Sequence, residues 1–175
     1  MIQTDGGNAN GVKIEQQQGK LSLFDATKQG KVDATWVFLP WEGVEAELEG
    51  VKLHAFRPGD FSIPYGYSPV IARNAASSKL NDDTLWNFVA ATMEGYRTAL
   101  ENPDAAVEAL SEYCDPPRSK DFLRKSQEAI NEYYRDGSTL GRMSSQRWRA
   151  FVDWLKGRGL LEGVEIDADK LFKQP

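Results

Sequence analysis

The chain has 175 residues, 41% of them hydrophobic and 27% charged, and its 21 basic against 26 acidic side chains leave a formal net charge of -5. At about 100–200 residues per domain this is one domain, or one and part of a second, with enough apolar material for a core and no case for intrinsic disorder. The acidic balance gives no electrostatic basis for binding nucleic acid or an anionic membrane, and the longest apolar stretch, Ala34 to Trp41, falls far short of the ~20 residues of a membrane span.

In chain order, Met1 to Asp5 is neither a basic n-region nor an apolar stretch, so no secretory signal is expected. Asp5 to Gly11 is a turn by composition. It fails the spacing of a calcium loop, with Gly7, Ala9 and Asn10 where such a loop needs two oxygen ligands and a glycine. Val12 to Gln17 alternates like a short strand, and Lys20 to Gln29 is expected to be a helix stopped by Gly30. Val32 to Leu39 is a β-branched and aromatic run of strand length. Pro40 suits the first position of a helix spanning Trp41 to Glu49, with Gly50 ending it and Val51 to Phe56 forming the next strand. The order strand, helix, strand, helix, strand over residues 12–56 predicts an α/β unit with a parallel sheet.

Arg57 to Asn74 reads as a rigid aromatic connector, rich in proline and glycine and ending in the strand-like Val70-Ile71-Ala72. From Asn81 onward apolar residues recur every three or four positions. One helix, capped by Asn81 or Asp82, uses Leu85, Trp86, Phe88, Val89, Thr92, Met93, Tyr96 and Leu100. A second starts at Asn102-Pro103 and stops before Pro116-Pro117, a third is capped by Ser119, and a fourth by Ser144 or Ser145 with Gly157 and Gly159 at its end. A short turn of helix over Asp169 to Phe172 closes the chain. The α/β unit begins in a turn, as though an earlier strand and helix preceded it.

Familiar catalytic signatures are absent. There is no P-loop and no Gly-x-Gly-x-x-Gly after a strand, and Gly157-Arg158-Gly159 lies at a helix end, where it is a cap. Gly66 to Val70 half-resembles a nucleophile elbow but lacks its second glycine. The sole histidine, His54, has no triad partner by spacing, and the sole cysteine, Cys114, allows neither an internal disulfide nor a His/Cys zinc cluster. Of the acidic run Glu42, Glu45, Glu47 and Glu49, the last three fit a solvated helix face, whereas Glu42 lies in the first turn beyond a strand end, where open α/β sheets bind ligands. Trp41 beside it, and Tyr65 and Tyr67 in the connector, are aromatic plates suited to a flat ligand. Trp36, inside a strand, is expected in the core.

The order Gly30-Lys31-Val32-Asp33-Ala34, then Pro40-Trp41-Glu42-Gly43, then Gly59-Asp60-Phe61-Ser62-Ile63-Pro64-Tyr65-Gly66-Tyr67 resembles the substrate-binding proteins related to thiamine-pyrimidine-precursor synthases. Relatives in that family include the alkanesulfonate-, riboflavin- and formyl-aminopyrimidine-binding components of ABC importers. Ala105 to Leu110, Gly141-Arg142-Met143-Ser144 and Trp148 to Leu161 resemble its closing helices. The resemblance implies a type 2 periplasmic-binding-protein-like α/β fold, of which this chain holds the second lobe and the carboxyl-terminal helices. Residues 1–58 would be a partial lobe, 59–74 a hinge or crossing segment and 75–175 a helical region packing on the lobes, with a first lobe missing before residue 1.

The implied function is binding, without catalysis or cofactor, of a small flat heteroaromatic molecule in an interlobe cleft. The ligand-binding residues would be Trp41, Glu42, Asp60, Tyr65 and Tyr67, and the further partner an ABC permease. Two other readings stand beside it. One is a relative of the pyrimidine-precursor synthase, which uses pyridoxal phosphate, iron, a sacrificed histidine and a cysteine-rich loop; the matching stretch, Phe61 to Val70, contains no cysteine. The other is a truncated interaction module without a ligand. An importer component would be periplasmic or at the cell surface, and a eukaryotic relative cytoplasmic.

Overall fold

A computed structural model describes residues 1–16, 22–74, 76, 81–136 and 139–173. The ends of two expected elements, Gln17 and Lys20-Leu21, lie outside the described residues. The chain divides into two compact units, one of Met1–Ala9, Ala55–Met93 and Asp136–Pro175, the other of Asn10–His54 and Glu94–Arg135.

Six helices are present among the described residues: α1 (Leu23–Lys28), α2 (Val44–Leu48), α3 (Asp82–Glu101), α4 (Pro103–Tyr113), α5 (Lys120–Asn131) and α6 (Ser145–Gly157). Their boundaries follow from capping chemistry. The side chains of Ser22, Asn102, Ser119 and Ser144 each accept a backbone N–H three residues on, satisfying donors that the first helical turn leaves without partners. Gly30, Gly50 and Gly159 take positive φ just past the ends of α1, α2 and α6, a conformation that a β-carbon would disfavour. On α3 the expected inner positions Leu85, Trp86, Val89, Thr92, Met93, Tyr96 and Leu100 are half-buried, but Phe88 is 58% exposed. The closing turn is a 3-10 turn at Ala168–Lys170.

The expected parallel sheet is not formed among the described residues. The paired strands there are β1 (Arg135–Asp136) and β2 (Thr139–Leu140), two residues each, in one two-stranded sheet. The stretches read as strands run without strand structure at 12–16, 51–56 and 70–72, and Val32 to Leu39 is a bend, then irregular chain, with Leu39 opening a π-helical turn. Alternating and β-branched side chains supply only a preference; a strand exists when a neighbour about 4.8 Å away completes its ladder. With no sheet to pack against, Trp36 is 59% exposed instead of joining a core.

In the unit built from Asn10–His54 and Glu94–Arg135, the core is Val44, Val107, Phe122 and Leu123, with Trp41, Cys114 and Ala129 packed against it. Leu123 is 1% exposed. Salt bridges tie the short helices down around this core. Lys28 reaches Glu49 at 2.8 Å and Asp25 at 2.9 Å, and Lys125 reaches Glu47 at 2.9 Å. Glu49, and secondarily Asp25, hold the Lys28 ammonium above the ordinary lysine range; the Ser22 hydroxyl, then Lys28, hold the Asp25 carboxyl below the ordinary carboxylate range.

In the other unit, the segment around Tyr65-Gly66-Tyr67 lies on α6. The Ser144 N–H donates to the Tyr67 hydroxyl at 2.7 Å and the Arg147 Nε to the Tyr65 carbonyl at 2.9 Å. Gly66 is buried between them, and a β-carbon there would sit 3.2 Å from both the Trp148 and Phe151 rings.

Two stability predictions follow from these contacts. Leu123→Ala should destabilise the fold by about 2–5 kcal/mol, the range for emptying a well-packed leucine site, read as a drop in the denaturant midpoint. Gly66→Ala should cost about 1–3 kcal/mol by overpacking and reduce the near-ultraviolet circular dichroism of the Trp148 cluster, whereas the same change at Gly59, where a β-carbon meets nothing within 4 Å, should leave that signal intact.

Candidate functional site

Leucine, proline, tryptophan, glutamate and glycine at Leu39–Gly43 form a single π-helical turn that leads directly into α2. Phe38 precedes it with extended backbone, φ -95° and ψ 113°, and Pro40 occupies the first turn, where its missing N–H costs nothing. The Glu42 Oε2 reaches back across the turn and accepts the Phe38 N–H at 2.8 Å, a donor of the helix start. This bond orients the carboxylate without using it up, because an ionised carboxylate has about four acceptor positions. From α5 the Ser126 hydroxyl donates to the Pro40 carbonyl at 2.5 Å.

Trp41 is half-buried. Its ring stands edge-on to Phe122, with centroids 4.7 Å apart at 87°, and the Arg118 guanidinium lies over it at 5.8 Å. Trp36 and Phe38, just upstream, form an edge-on pair 6.4 Å apart, each 59% exposed. This part of the chain therefore presents a fixed acidic group and several aromatic rings within seven residues.

Asp60 lies on the exposed 3-10 turn Pro58–Phe61, whose end is marked by Ser62 in the left-handed region at φ 53°. Tyr65 is 44% exposed, its ring 6.4 Å from Phe151 while its carbonyl is taken by Arg147. Tyr67 is more deeply engaged. Its ring lies 5.6 Å from Trp148, the Arg147 guanidinium stacks over it at 4.4 Å, and its hydroxyl accepts from the start of α6. Of the two tyrosines, Tyr65 presents the larger share of ring to solvent, and Tyr67 works as a staple.

The five residues singled out from sequence thus fall in two places. Trp41 and Glu42 belong to one compact unit, Asp60, Tyr65 and Tyr67 to the other. The bracing residues Arg118, Ser126, Ser144 and Arg147 were not read from sequence as parts of a site. Ser144 was legible as a helix cap, but neither arginine sits in a pattern that announces a ring beneath it. Among the described residues no group of three His, Cys, Asp or Glu side chains is placed to hold a metal ion, and no helix is long and apolar enough to cross a membrane.

Comparison with known proteins covers these same segments. The formylaminopyrimidine-binding protein of Halalkalibacterium halodurans is 22% identical over 174 residues, which is 97% of this chain and 52% of that protein. The chain thus spans about half the length of this curated relative. A family model described as NMT1/THI5 like matches residues 1–106, well over half of the chain and every one of the five candidate residues. The chain belongs to the NMT1/THI5-like family.

Proposed function

We propose that this chain binds, without chemical conversion, a small flat heteroaromatic molecule of the aminopyrimidine class, as part of a type 2 periplasmic-binding-protein fold that serves an ABC permease. The observation that carries the reading is the family match across 1–106, which takes in Trp41, Glu42, Asp60, Tyr65 and Tyr67. The name of the half-matched relative, a formylaminopyrimidine-binding protein, supports the ligand class.

The proposed mechanism uses each residue for what its surroundings leave available. An aromatic plate, Trp41 or alternatively Tyr65, stacks on the heterocycle, an arrangement that buries two apolar faces and favours planar ligands. Glu42, already aimed by the Phe38 N–H, accepts from an exocyclic amino group through its remaining acceptor positions. Where Tyr65 is the plate, Asp60 of the same unit is an acceptor for the ligand, and Tyr67 fixes the segment that carries Tyr65. In this reading the opposite wall of the cleft belongs to the first lobe of the fold, and lobe closure excludes water from the ring.

A thermal-shift series with formylaminopyrimidine, riboflavin and an alkanesulfonate tests the ligand class, on this chain and on the chain extended upstream by a first lobe. A pyrimidine at 100 times its dissociation constant should add about 2.7 kcal/mol of stability. A pyrimidine response in neither form overturns the reading. Calorimetry of variants then assigns the residues. Trp41→Ala or Tyr65→Ala should weaken pyrimidine binding about tenfold, whichever ring is the plate; unchanged affinity in both removes stacking from the mechanism. Glu42→Gln keeps the side chain's shape and an oxygen for the Phe38 N–H, and should lose about tenfold by replacing a charged acceptor. Equal affinity in Glu42→Gln removes Glu42 from the ligand.

A further inference from the structure

Arg118 occupies the last position before Ser119, the N-cap of α5, and follows two prolines that fix the approach of the chain. Its side chain is 30% exposed and makes three contacts at once. Nη1 donates to Glu45 Oε1 at 3.2 Å, and the guanidinium lies 5.1 Å from the Phe122 ring centre and 5.8 Å from that of Trp41. Glu45, itself 20% exposed, is four residues beyond Trp41 and on the first turn of α2. One planar cation therefore bridges a ring and a carboxylate that stand one helical turn apart, while Phe122 meets the same ring edge-on.

We propose that Arg118 is the positioning residue of Trp41: by lying over the indole while anchored to Glu45, it holds the ring in a single orientation. This deepens the proposed function and rests on it for its consequence, since a pre-set ring binds a flat ligand without first losing rotamer freedom. The physical basis is specific to arginine. A guanidinium is flat, weakly hydrated and able to stack while its edge forms an ion pair; a lysine ammonium is a strongly hydrated point charge that can satisfy Glu45 but cannot cover the ring. The Glu45 contact gives the cation its place, and the ring contact gives it its effect on Trp41.

The test reads the ring directly and needs no ligand. The full chain is labelled with 5-fluorotryptophan, which gives one fluorine signal for each of the five tryptophans, and the Trp41 signal is assigned by its loss in Trp41→Phe. Arg118→Lys and Arg118→Met should each shift and broaden the Trp41 signal while those of Trp36, Trp86, Trp148 and Trp154 keep their positions. Glu45→Gln, which retains a hydrogen-bond acceptor for the cation, should leave the Trp41 signal sharp. An unchanged Trp41 signal in Arg118→Lys overturns the proposal, and so does a change spread over all five signals, which marks a general loss of structure. Binding is read separately: Arg118→Lys should weaken formylaminopyrimidine about tenfold. If Trp41→Ala leaves that affinity intact, Trp41 is not the plate, yet the fluorine result on Arg118 stands by itself.

Discussion

The turn Leu39–Gly43 cannot hold its shape alone, and what holds it is α5. A single π-helical turn closes few hydrogen bonds of its own, and its Pro40 carbonyl would be left facing a half-buried surface. Ser126 answers that need from α5 with a hydroxyl donor at 2.5 Å, and it is the buried polar side chain on that helix. Phe122, one turn earlier on α5, meets the Trp41 ring edge-on, and Leu123 beside it closes the core under Val44. Removing a partner from a buried carbonyl costs about 1–3 kcal/mol, and this part-buried one depends on Ser126 for its donor. The position of Glu42 and Trp41 is thus a consequence of packing on α5 and not of the local sequence alone.

The segment Ile63 to Tyr67 in the other unit is held by the same kind of bargain with α6. An irregular chain carries backbone groups that need partners, and α6 offers an arginine Nε to the Tyr65 carbonyl while its cap residue donates its N–H to the Tyr67 hydroxyl. Gly66 allows the approach, since any side chain would meet Trp148 and Phe151. In both units a short aromatic segment is fixed through a backbone carbonyl by one helix, Pro40 by Ser126 and Tyr65 by Arg147.

Sequence reading worked where the controlling physics is local. The helix caps at Asn102, Ser119 and Ser144 and the stops at Gly30 and Gly50 were legible because a cap needs only its own residues and the next turn. The strands were not, because a ladder is made by a second chain segment that periodicity does not contain. Trp36 shows the cost: its place in a strand-like run implied a core, and in the structure it is 59% exposed. Phe88 fits the helical period of α3 yet faces outward, since the period sets which residues share a face and not how wide the covered stripe is. Of the site, Trp41, Glu42 and Tyr65 were legible as residue types in a suggestive place. Arg118 was not, because nothing near it in the chain indicates the ring, 77 positions earlier, that it covers.

That distance also separates two kinds of constraint on the site. All five candidate ligand residues lie within 1–106, the part of the chain that matches the family model, whereas Arg118, Phe122, Ser126, Ser144 and Arg147 lie beyond it. The first group supplies rings and acceptors; the second packs against those rings or bonds the segments that carry them. A carboxylate aimed by one backbone N–H and a ring in contact with both a cation and a perpendicular phenyl ring have little freedom left to lose when a ligand arrives. If affinity depends on that pre-setting, substitutions among the bracing residues change it without touching the ligand, Trp41 being the ring that Phe122 and Arg118 contact from α5 and its approach.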